Sequence, residues 1–271
     1  MPRMIQHPRT LATLILGCVL AIGPGVPALA EAQQETASDP VLLVSRPHPD
    51  LSYYLYVPPS YDGSRAFRLM VSVHGTSRRA RLFARHFVQF ANDYDYVVLA
   101  PLFGRTVEPD EDYQRLGVGT NQRADLDLLD IVNEVAARYR LDTDQFDLFG
   151  FSGGGQFAHR FLYIHPERLR SVVAAAPGTI TPPTDEEPWP AGIASLAELA
   201  GVSFDLAAIQ RCRVMLIIGT DDTASRLRHA RALHASWLAA GIAHDYVEVP
   251  AVAHLTAPSL MDVVREFMAG S

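Results

Sequence analysis

Short apolar segments alternate along the chain with amphipathic helical segments, and this alternation limits the possible folds more than any other feature. Several apolar segments, such as 69–73 and 214–218, are unbroken runs typical of strands covered on both faces. Apolar residues within 128–139 recur at helical spacing. The order predicts an α/β domain with a mostly parallel sheet flanked by helices. About eight strands are predicted, at 41–45, 53–57, 69–73, 96–100, 146–149, 171–175, 214–218 and 246–249.

Two stretches depart from this alternation. The first two strands are joined by a turn at 47–50 and predict an antiparallel hairpin at one edge of the sheet. Residues 178–207 contain four prolines and then a short helical stretch, which predicts an irregular, lid-like insertion. Trp189 in this insertion is expected to form a wall of the substrate pocket. The alternative is a solvated loop whose acidic residues face outward, namely Asp185, Glu186 and Glu187.

The N-terminal segment 1–30 has the pattern of a secretory signal peptide. A basic start with Arg3 and Arg9 precedes an apolar run over 11–22, and small residues follow at 28–30. A membrane anchor is the alternative, but the run is short for a span and is followed directly by Gly and Pro. Lipidation at Cys18 is a second alternative, although the apolar run continues past that cysteine. We expect export to the periplasm or the medium, with no stable membrane insertion after cleavage.

The remaining chain divides into a polar, flexible lead-in at 31–40 and one globular domain at 41–271, which is long enough to bury a sizeable core. Without Arg3 and Arg9, 21 basic residues face 30 acidic ones, a net charge of −9. This balance argues against nucleic acid as a partner. After cleavage Cys212 is the sole cysteine, and it precedes a predicted buried strand, which favours a small apolar filler over a reactive thiol.

The strongest local motif is G-x-S-x-G at 150–154, which follows an apolar strand and precedes a helix-compatible run. Strand, sharp turn and helix are the context in which this motif presents a nucleophilic serine, here Ser152. Gly150 and Gly154 are needed because a side chain at either position would collide with the neighbouring strand or helix. A glycine-rich turn with an incidental serine is the alternative.

A serine hydroxyl needs a base, and the base needs an orienting acid. The order serine, acid, histidine directs attention downstream of Ser152. Asp222 follows the strand 214–218, and His254 follows the strand 246–249, so both lie at the same rim of a parallel sheet as the serine. Asp221 is the alternative acid, and whichever aspartate does not orient the histidine is expected to cap the next helix. The other late histidines lie in or next to a helix: His229, His234 and His244.

An oxyanion site is expected from backbone N–H groups of Thr76, after an early strand, and of Gly153, after the nucleophile. His74 is expected to brace this loop through hydrogen bonds rather than to act in catalysis. With Phe151 and Trp189 it is also expected to contribute to the substrate pocket. Metal chemistry has little support, since the sequence contains no H-E-x-x-H and no Cys/His cluster with ligand spacing.

Four separated motifs in this order resemble the α/β-hydrolase superfamily, and more loosely its secreted esterase and polyhydroxyalkanoate-depolymerase-like branch. The motifs are 55–58 with 61–62, 73–75, 142–145 leading into 150–154, and 219–223 with His254. The resemblance covers most of the chain after Val41. It implies an α/β-hydrolase fold, Asp222 as the acid by its position after the strand-end glycine, and no metal or organic cofactor. No appended polymer-binding domain is visible, although depolymerases often carry one.

Together these features predict a secreted serine hydrolase that cleaves carboxylic esters, small or polymeric, through an acyl-enzyme. A peptidase or amidase using the same triad is the first alternative. A binding protein on an inactive hydrolase scaffold is the second, against which the intact Ser152, Asp222 and His254 argue. Substrate size and oligomeric state are not readable from the sequence.

Overall fold

The computed structural model describes residues 39–105 and 112–270. The predicted signal peptide at 1–30, with Cys18, and residues 31–38 of the predicted lead-in lie outside the described residues. Eight strands form one sheet: β1 (Val41–Val44), β2 (Ser52–Tyr56), β3 (Phe67–Val73), β4 (Tyr96–Leu102), β5 (Leu141–Phe151), β6 (Leu169–Ala175), β7 (Arg213–Gly219) and β8 (Asp245–Val249). Each lies where the apolar runs predict a strand.

The strand order across the sheet is β1-β2-β4-β3-β5-β6-β7-β8. The first two strands form the predicted antiparallel edge hairpin, and β2 also runs antiparallel to β4. All later pairs, from β3–β4 to β7–β8, are parallel. The carboxyl ends of these parallel strands therefore meet at one rim, and the predicted mostly parallel α/β sheet is confirmed.

Helices cover both faces of the sheet. They are α1 (Ala80–Arg85), α2 (Val88–Tyr94), α3 (Ala124–Arg138), α4 (Gly153–Ile164), α5 (Leu196–Ala200), α6 (Leu206–Ile209), α7 (Ala224–Ala239) and α8 (Pro258–Ala269). One apolar core joins the sheet to α3 and α4, and a second joins it to α1, α2 and α8. The helix α7 contributes to both cores.

Side chains of the central strand β5 alternate between the two cores. Phe146 and Leu148 lie in the first core, while Phe149 and Phe151 lie in the second. This period of two follows from strand geometry, which sends successive side chains to opposite faces. Because both faces are covered, β5 reads as an apolar run, and the nucleophile that follows it is held on a rigid support.

The predicted insertion at 178–207 occupies the connection between β6 and β7, with α5 inside it and α6 following at its end. Asp185, Glu186 and Glu187 are exposed. Trp189, in contrast, is only 9% exposed and belongs to the first core. The insertion thus has an acidic outer surface and an apolar anchor.

The basic residues near α1 and the lone cysteine have local structural roles. Arg81 and Arg85 both contact the carboxylate of Asp39. Arg78 lies outside α1, which begins at Ala80. Cys212 is buried, and burial raises the pKa of its thiol to about 12, which fits a filler rather than a nucleophile.

Within 39–105 and 112–270 no helix is both long and apolar enough to span a bilayer.

Candidate active site

Ser152 stands at a sharp turn between β5 and α4. Its backbone has φ 57° and ψ −112°, a conformation that a residue with a side chain adopts at a cost of order 1–3 kcal/mol. The turn is held from the side by the Ser152 N–H, which donates to the Ala175 carbonyl at 2.8 Å. This strained, anchored geometry places the largely buried Ser152 at the rim of the sheet, between the strand and the helix of the motif.

The two flanking glycines are required by close backbone approaches. A Cβ at Gly150 would lie 1.9 Å from the Gly154 carbonyl oxygen, and one at Gly154 would lie 2.2 Å from the Val73 carbonyl oxygen. Both distances are far inside van der Waals contact, and both neighbours are backbone atoms that cannot rotate away. The predicted reason for glycine at these two positions is confirmed: one faces the helix and the other faces the neighbouring strand.

The structure brings Ser152, His254 and Asp222 together although 102 and 32 residues separate the consecutive pairs. His254 Nε2 lies 2.9 Å from Ser152 Oγ, and His254 Nδ1 lies 2.7 Å from Asp222 Oδ2. With Asp222 ionised, Nδ1–H donates to the carboxylate and leaves Nε2 free to accept the serine proton. The arrangement is that of a nucleophile, a base and an orienting acid.

Asp222, and not Asp221, faces the imidazole. Its second oxygen, Oδ1, accepts the Thr223 N–H at 2.6 Å, so the buried carboxylate is fixed on both sides. Asp221 is exposed, and its side chain accepts from the Thr220 hydroxyl at 3.1 Å. The expectation that the other aspartate caps the following helix is wrong, because Thr223 is the N-cap and its Oγ1 accepts from Arg226 N–H.

The loop after β3 lies directly beside the nucleophile. A Cβ built on Gly75 would be 3.3 Å from Ser152 Cβ, and one built on Gly153 would be 3.2 Å from Thr76 Cγ2. Among the described turns and loops, no backbone hydrogen bond uses the N–H of Thr76 or of Gly153. The two groups expected to form the oxyanion site are therefore adjacent to Ser152 and to each other.

His74 braces this loop from below. Its Nδ1 lies 2.8 Å from the Gly75 carbonyl and donates to it, while Nε2 accepts the Phe103 N–H at 3.1 Å. Burial lowers the pKa of His74 to about 4, so the ring is neutral near neutral pH. The bracing role fits these contacts. The expected pocket role does not, because a fully buried ring with both nitrogens engaged cannot touch a ligand.

Arg78 is a second brace that sequence analysis missed. It has φ 56°, and its guanidinium donates to the carbonyl oxygens of Thr76 and Gly104 at 3.0 and 3.1 Å. The same group lies 4.0 Å from Asp112. Arg78 thus ties the expected oxyanion loop to the segment after β4, and its single signal in sequence was a basic cluster.

A pocket of about 530 Å³ adjoins the nucleophile. Its wall includes Thr76 of the expected oxyanion loop, Gln156 one turn after the serine, and Thr223 next to the acid. The complete lining comprises Thr76, Asp112, Gln114, Arg115, Gln156, Gly178, Thr179, Thr223, Ser225, Arg226 and His229. These residues come from five separate segments that connect consecutive strands from β3 to β8, so no local sequence motif predicts the pocket.

Two residues expected in the pocket lie elsewhere. Trp189 packs into the first core, and its backbone N–H donates to Ser195 Oγ at 2.9 Å, so it is not part of this pocket wall. Phe151 is 7% exposed and packs its ring 4.9 Å from that of His254. Phe151 therefore supports the histidine rather than the pocket. Only the start of the insertion, Gly178 and Thr179, reaches the pocket.

Within the described residues no group of three or more His, Cys, Asp or Glu side chains is placed to hold a metal ion.

Comparison with solved structures places this architecture among α/β-hydrolases. A poly(3-hydroxybutyrate) depolymerase from Bordetella parapertussis matches with a TM-score of 0.63 at 21% identity, over 86% of this chain and 88% of that one. Poly(aspartic acid) hydrolase-1 from Sphingomonas sp. KT-1 matches with 0.63 at 20% identity, over 82% and 94%. A ferulic acid esterase from Anaeromyces mucronatus matches with 0.62 at 17% identity, over 91% and 97%.

No protein-family model matches the chain, and neither does any curated protein. At these identities the structural likeness establishes the fold, so the predicted α/β-hydrolase fold is confirmed. The similar structures include a depolymerase and an esterase, the two kinds of enzyme that the resemblance in sequence named.

Proposed function

We propose that this protein hydrolyses carboxylic esters through an acyl-enzyme formed on Ser152. The observation that carries the proposal is the pair of short contacts from His254, 2.9 Å to the serine oxygen and 2.7 Å to Asp222. A hydroxyl becomes a useful nucleophile near neutral pH only when such an oriented base removes its proton. The esterases and depolymerase that share the fold make ester hydrolysis the reaction to test first.

In the proposed reaction, Ser152 Oγ forms a bond to the ester carbonyl carbon as its proton moves to His254 Nε2. The carbonyl oxygen becomes an oxyanion that the N–H groups of Thr76 and Gly153 stabilise. Nε2 then gives the proton to the departing alcohol, and the C–O bond breaks. A water molecule repeats the sequence on the acyl-enzyme, so that the acid is released and Ser152 is regenerated.

The reaction type is tested by comparing p-nitrophenyl butyrate with an aminoacyl p-nitroanilide. We expect ester hydrolysis that Ser152→Ala reduces by several orders of magnitude with little change in thermal stability. Preferential cleavage of the anilide would instead favour a peptidase or amidase. Ester hydrolysis that persists in Ser152→Ala would contradict the assignment of the nucleophile.

We also propose that the protein is exported and that residues 1–30 are removed. The proposal rests on the basic start, the short apolar run and the small residues at 28–30. N-terminal sequencing of protein recovered from the periplasm or medium of an expressing bacterium should begin at Glu31. A mature chain that begins at a lipidated Cys18 would contradict this.

A further inference from the structure

The pocket beside Ser152 contains a guanidinium group that no described carboxylate neutralises. Arg226, at the start of α7, lines it, and none of the ion pairs among the described residues includes Arg226. Its Nε atom is buried and has no hydrogen-bond partner there. A buried guanidinium N–H without an acceptor is costly, so an acceptor from beyond the described residues, such as an anionic ligand, would stabilise it.

A second guanidinium lies behind the same wall. Arg160 of α4 is 1% exposed, and its acceptors are neutral: the carbonyl of Gln114 at 2.6 Å and the hydroxyls of Thr181 and Thr179 at 2.8 and 3.3 Å. No described carboxylate pairs with it. Burial, and then the charge of Arg115, lowers the pKa of Arg160 to about 9, so it keeps its charge at neutral pH.

Burying such a charge without a counter-ion is energetically unfavourable even after relaxation. The cost is reduced when an anion occupies the adjoining pocket, because charges separated by a low-dielectric wall are weakly screened. Arg160 also holds Gln114 and Thr179, which line the pocket, so it both shapes the wall and charges it.

The remaining wall suits an anion as well. His229 donates Nδ1–H to the Gly178 carbonyl, which directs its other nitrogen away from that bond. Gln156 adds its amide N–H groups, since its Oε1 already accepts from the Thr179 hydroxyl. The one carboxylate among the described residues of the wall, Asp112, accepts from Gln114 at 3.1 Å and lies near Arg78, so its charge is partly offset.

This concentration of positive charge contrasts with the molecule as a whole, whose net charge is −7. An overall acidic protein repels anions at long range, so a cationic cavity beside the nucleophile is a local specialisation. Arginine suits carboxylates in particular, because its planar N–H groups match the two carboxylate oxygens.

We propose that this pocket binds a carboxylate group of the substrate, and that the preferred esters carry a free carboxylate a few atoms from the scissile carbonyl. The proposal rests on the proposed ester hydrolysis at Ser152 and names its substrate class. Such a carboxylate can belong to the acyl part, as in a dicarboxylic acid monoester, or to the alcohol part, as in an ester of a hydroxy acid. In both cases the pocket would bind the same negatively charged carboxylate group.

Two matched substrate pairs separate these sources. Monomethyl glutarate and methyl 4-carbamoylbutanoate place a carboxylate or a neutral amide in the acyl part. 3-Acetoxybutanoate and 3-acetoxybutanamide do the same in the alcohol part. We expect the wild-type kcat/KM to favour the carboxylate in one pair by about tenfold or more, the size of one charged hydrogen bond. The pair that shows it identifies which part of the ester enters the pocket.

Arg226→Gln should lower this carboxylate-to-amide ratio about tenfold, mainly through KM. Arg228→Gln is the matched control, because Arg228 lies on the same helix and is exposed outside the pocket. The substitution removes the same charge without changing the pocket wall. It should retain the wild-type ratio. A ratio near one in both pairs, or an equal fall in both variants, would overturn the proposal.

Failure of the ester hydrolysis itself is distinguishable. If the wild-type protein cleaves none of the four esters faster than Ser152→Ala, the proposed function fails, and calorimetric titration of the Ser152→Ala protein with glutarate still decides on the pocket. Glutarate binding that is lost in the Ser152→Ala, Arg226→Gln protein supports a carboxylate site. No binding at millimolar glutarate overturns it.

Discussion

The sharp turn between β5 and α4 that carries Ser152, here called the elbow, and the pocket beside it are close neighbours, yet the sequence specifies them in different ways. The elbow is a local structure, in which a strand, a five-residue motif and a helix fix the serine at φ 57°. The pocket is assembled from five connections that meet at the rim, with Arg226 of α7 in its wall and Arg160 of α4 buried behind it. Local sequence thus specifies the turn that holds Ser152, and long-range packing assembles the pocket.

Two buried histidines connect these regions by the same device. His74 donates to the Gly75 carbonyl and accepts the Phe103 N–H. His159 lies 2.9 Å from the Gly155 carbonyl, to which Nδ1 donates, and accepts the Thr181 N–H at 3.1 Å. Each neutral ring therefore joins two backbone segments. His74 joins the loop after β3 to the end of β4, and His159 joins α4 to the start of the insertion.

The largest effect should come from the acid of the elbow's triad. Asp222→Asn should lower kcat by roughly 10⁴-fold with the fold retained, because an amide favours the wrong tautomer of His254. Asp221→Asn is the control: its side chain faces Thr220 and solvent, so kcat should stay within a few-fold. Steady-state kinetics on p-nitrophenyl butyrate measure both. The reverse ranking would show that the histidine is oriented by Asp221 in solution.

A smaller effect, on stability rather than chemistry, is expected in the insertion. Trp189→Ala should lower the free energy of unfolding by about 3–5 kcal/mol, the usual cost of removing a large buried side chain. Because Trp189 lies in the core and not in the pocket wall, the ratio of kcat/KM between short and long esters should stay unchanged.

Trp189→Phe is the matched control for this position. It keeps most of the apolar contact and removes an indole N–H that has no partner among the described residues, so it should cost far less than alanine. Chemical denaturation measures both variants. A changed chain-length preference at unchanged stability would instead return Trp189 to the substrate pocket.

The mildest effect is the pH dependence that the two histidine braces impose. Burial lowers the pKa of His74 to about 4 and that of His159 well below its ordinary value of 6.5. The unfolded chain therefore binds protons that the folded protein resists. Their contribution to stability is complete above pH 6.5 and is lost as the pH falls toward 4, with a slope of about 1.4 kcal/mol per pH unit for each histidine.

Denaturant unfolding across this pH range tests the effect of the braces. His159→Gln, which keeps a donor and an acceptor without the titration, should flatten the slope by the share of one histidine. A wild-type stability that does not change between pH 6.5 and 4 would show that these rings are protonated in the folded protein.

The sheet and the meeting of the three candidate catalytic residues were predictable because each rests on short-range information. Apolar runs mark strands buried on both faces, and the carboxyl ends of parallel strands place Ser152, Asp222 and His254 on one rim. Even the roles of Gly150 and Gly154 follow from how closely a helix must approach its strand.

The pocket was not predictable, because it depends on long-range packing rather than on short-range information. Trp189 in an irregular segment suggests a pocket wall, but whether an apolar side chain turns toward a cavity or into the core depends on tertiary packing. His229 looks unremarkable in a helix until the Gly178 carbonyl is placed against it. Arg160 reads as a surface residue, and only the fold shows that it is buried without a described carboxylate.

The central claim, that Ser152 is the activated nucleophile, is tested most directly by labelling with a fluorophosphonate followed by peptide mapping. We predict one adduct per chain, located on Ser152, and a labelling rate that falls steeply in His254→Ala because the hydroxyl loses its base. An adduct on any other residue, or equal labelling of the Ser152→Ala protein, would contradict the account.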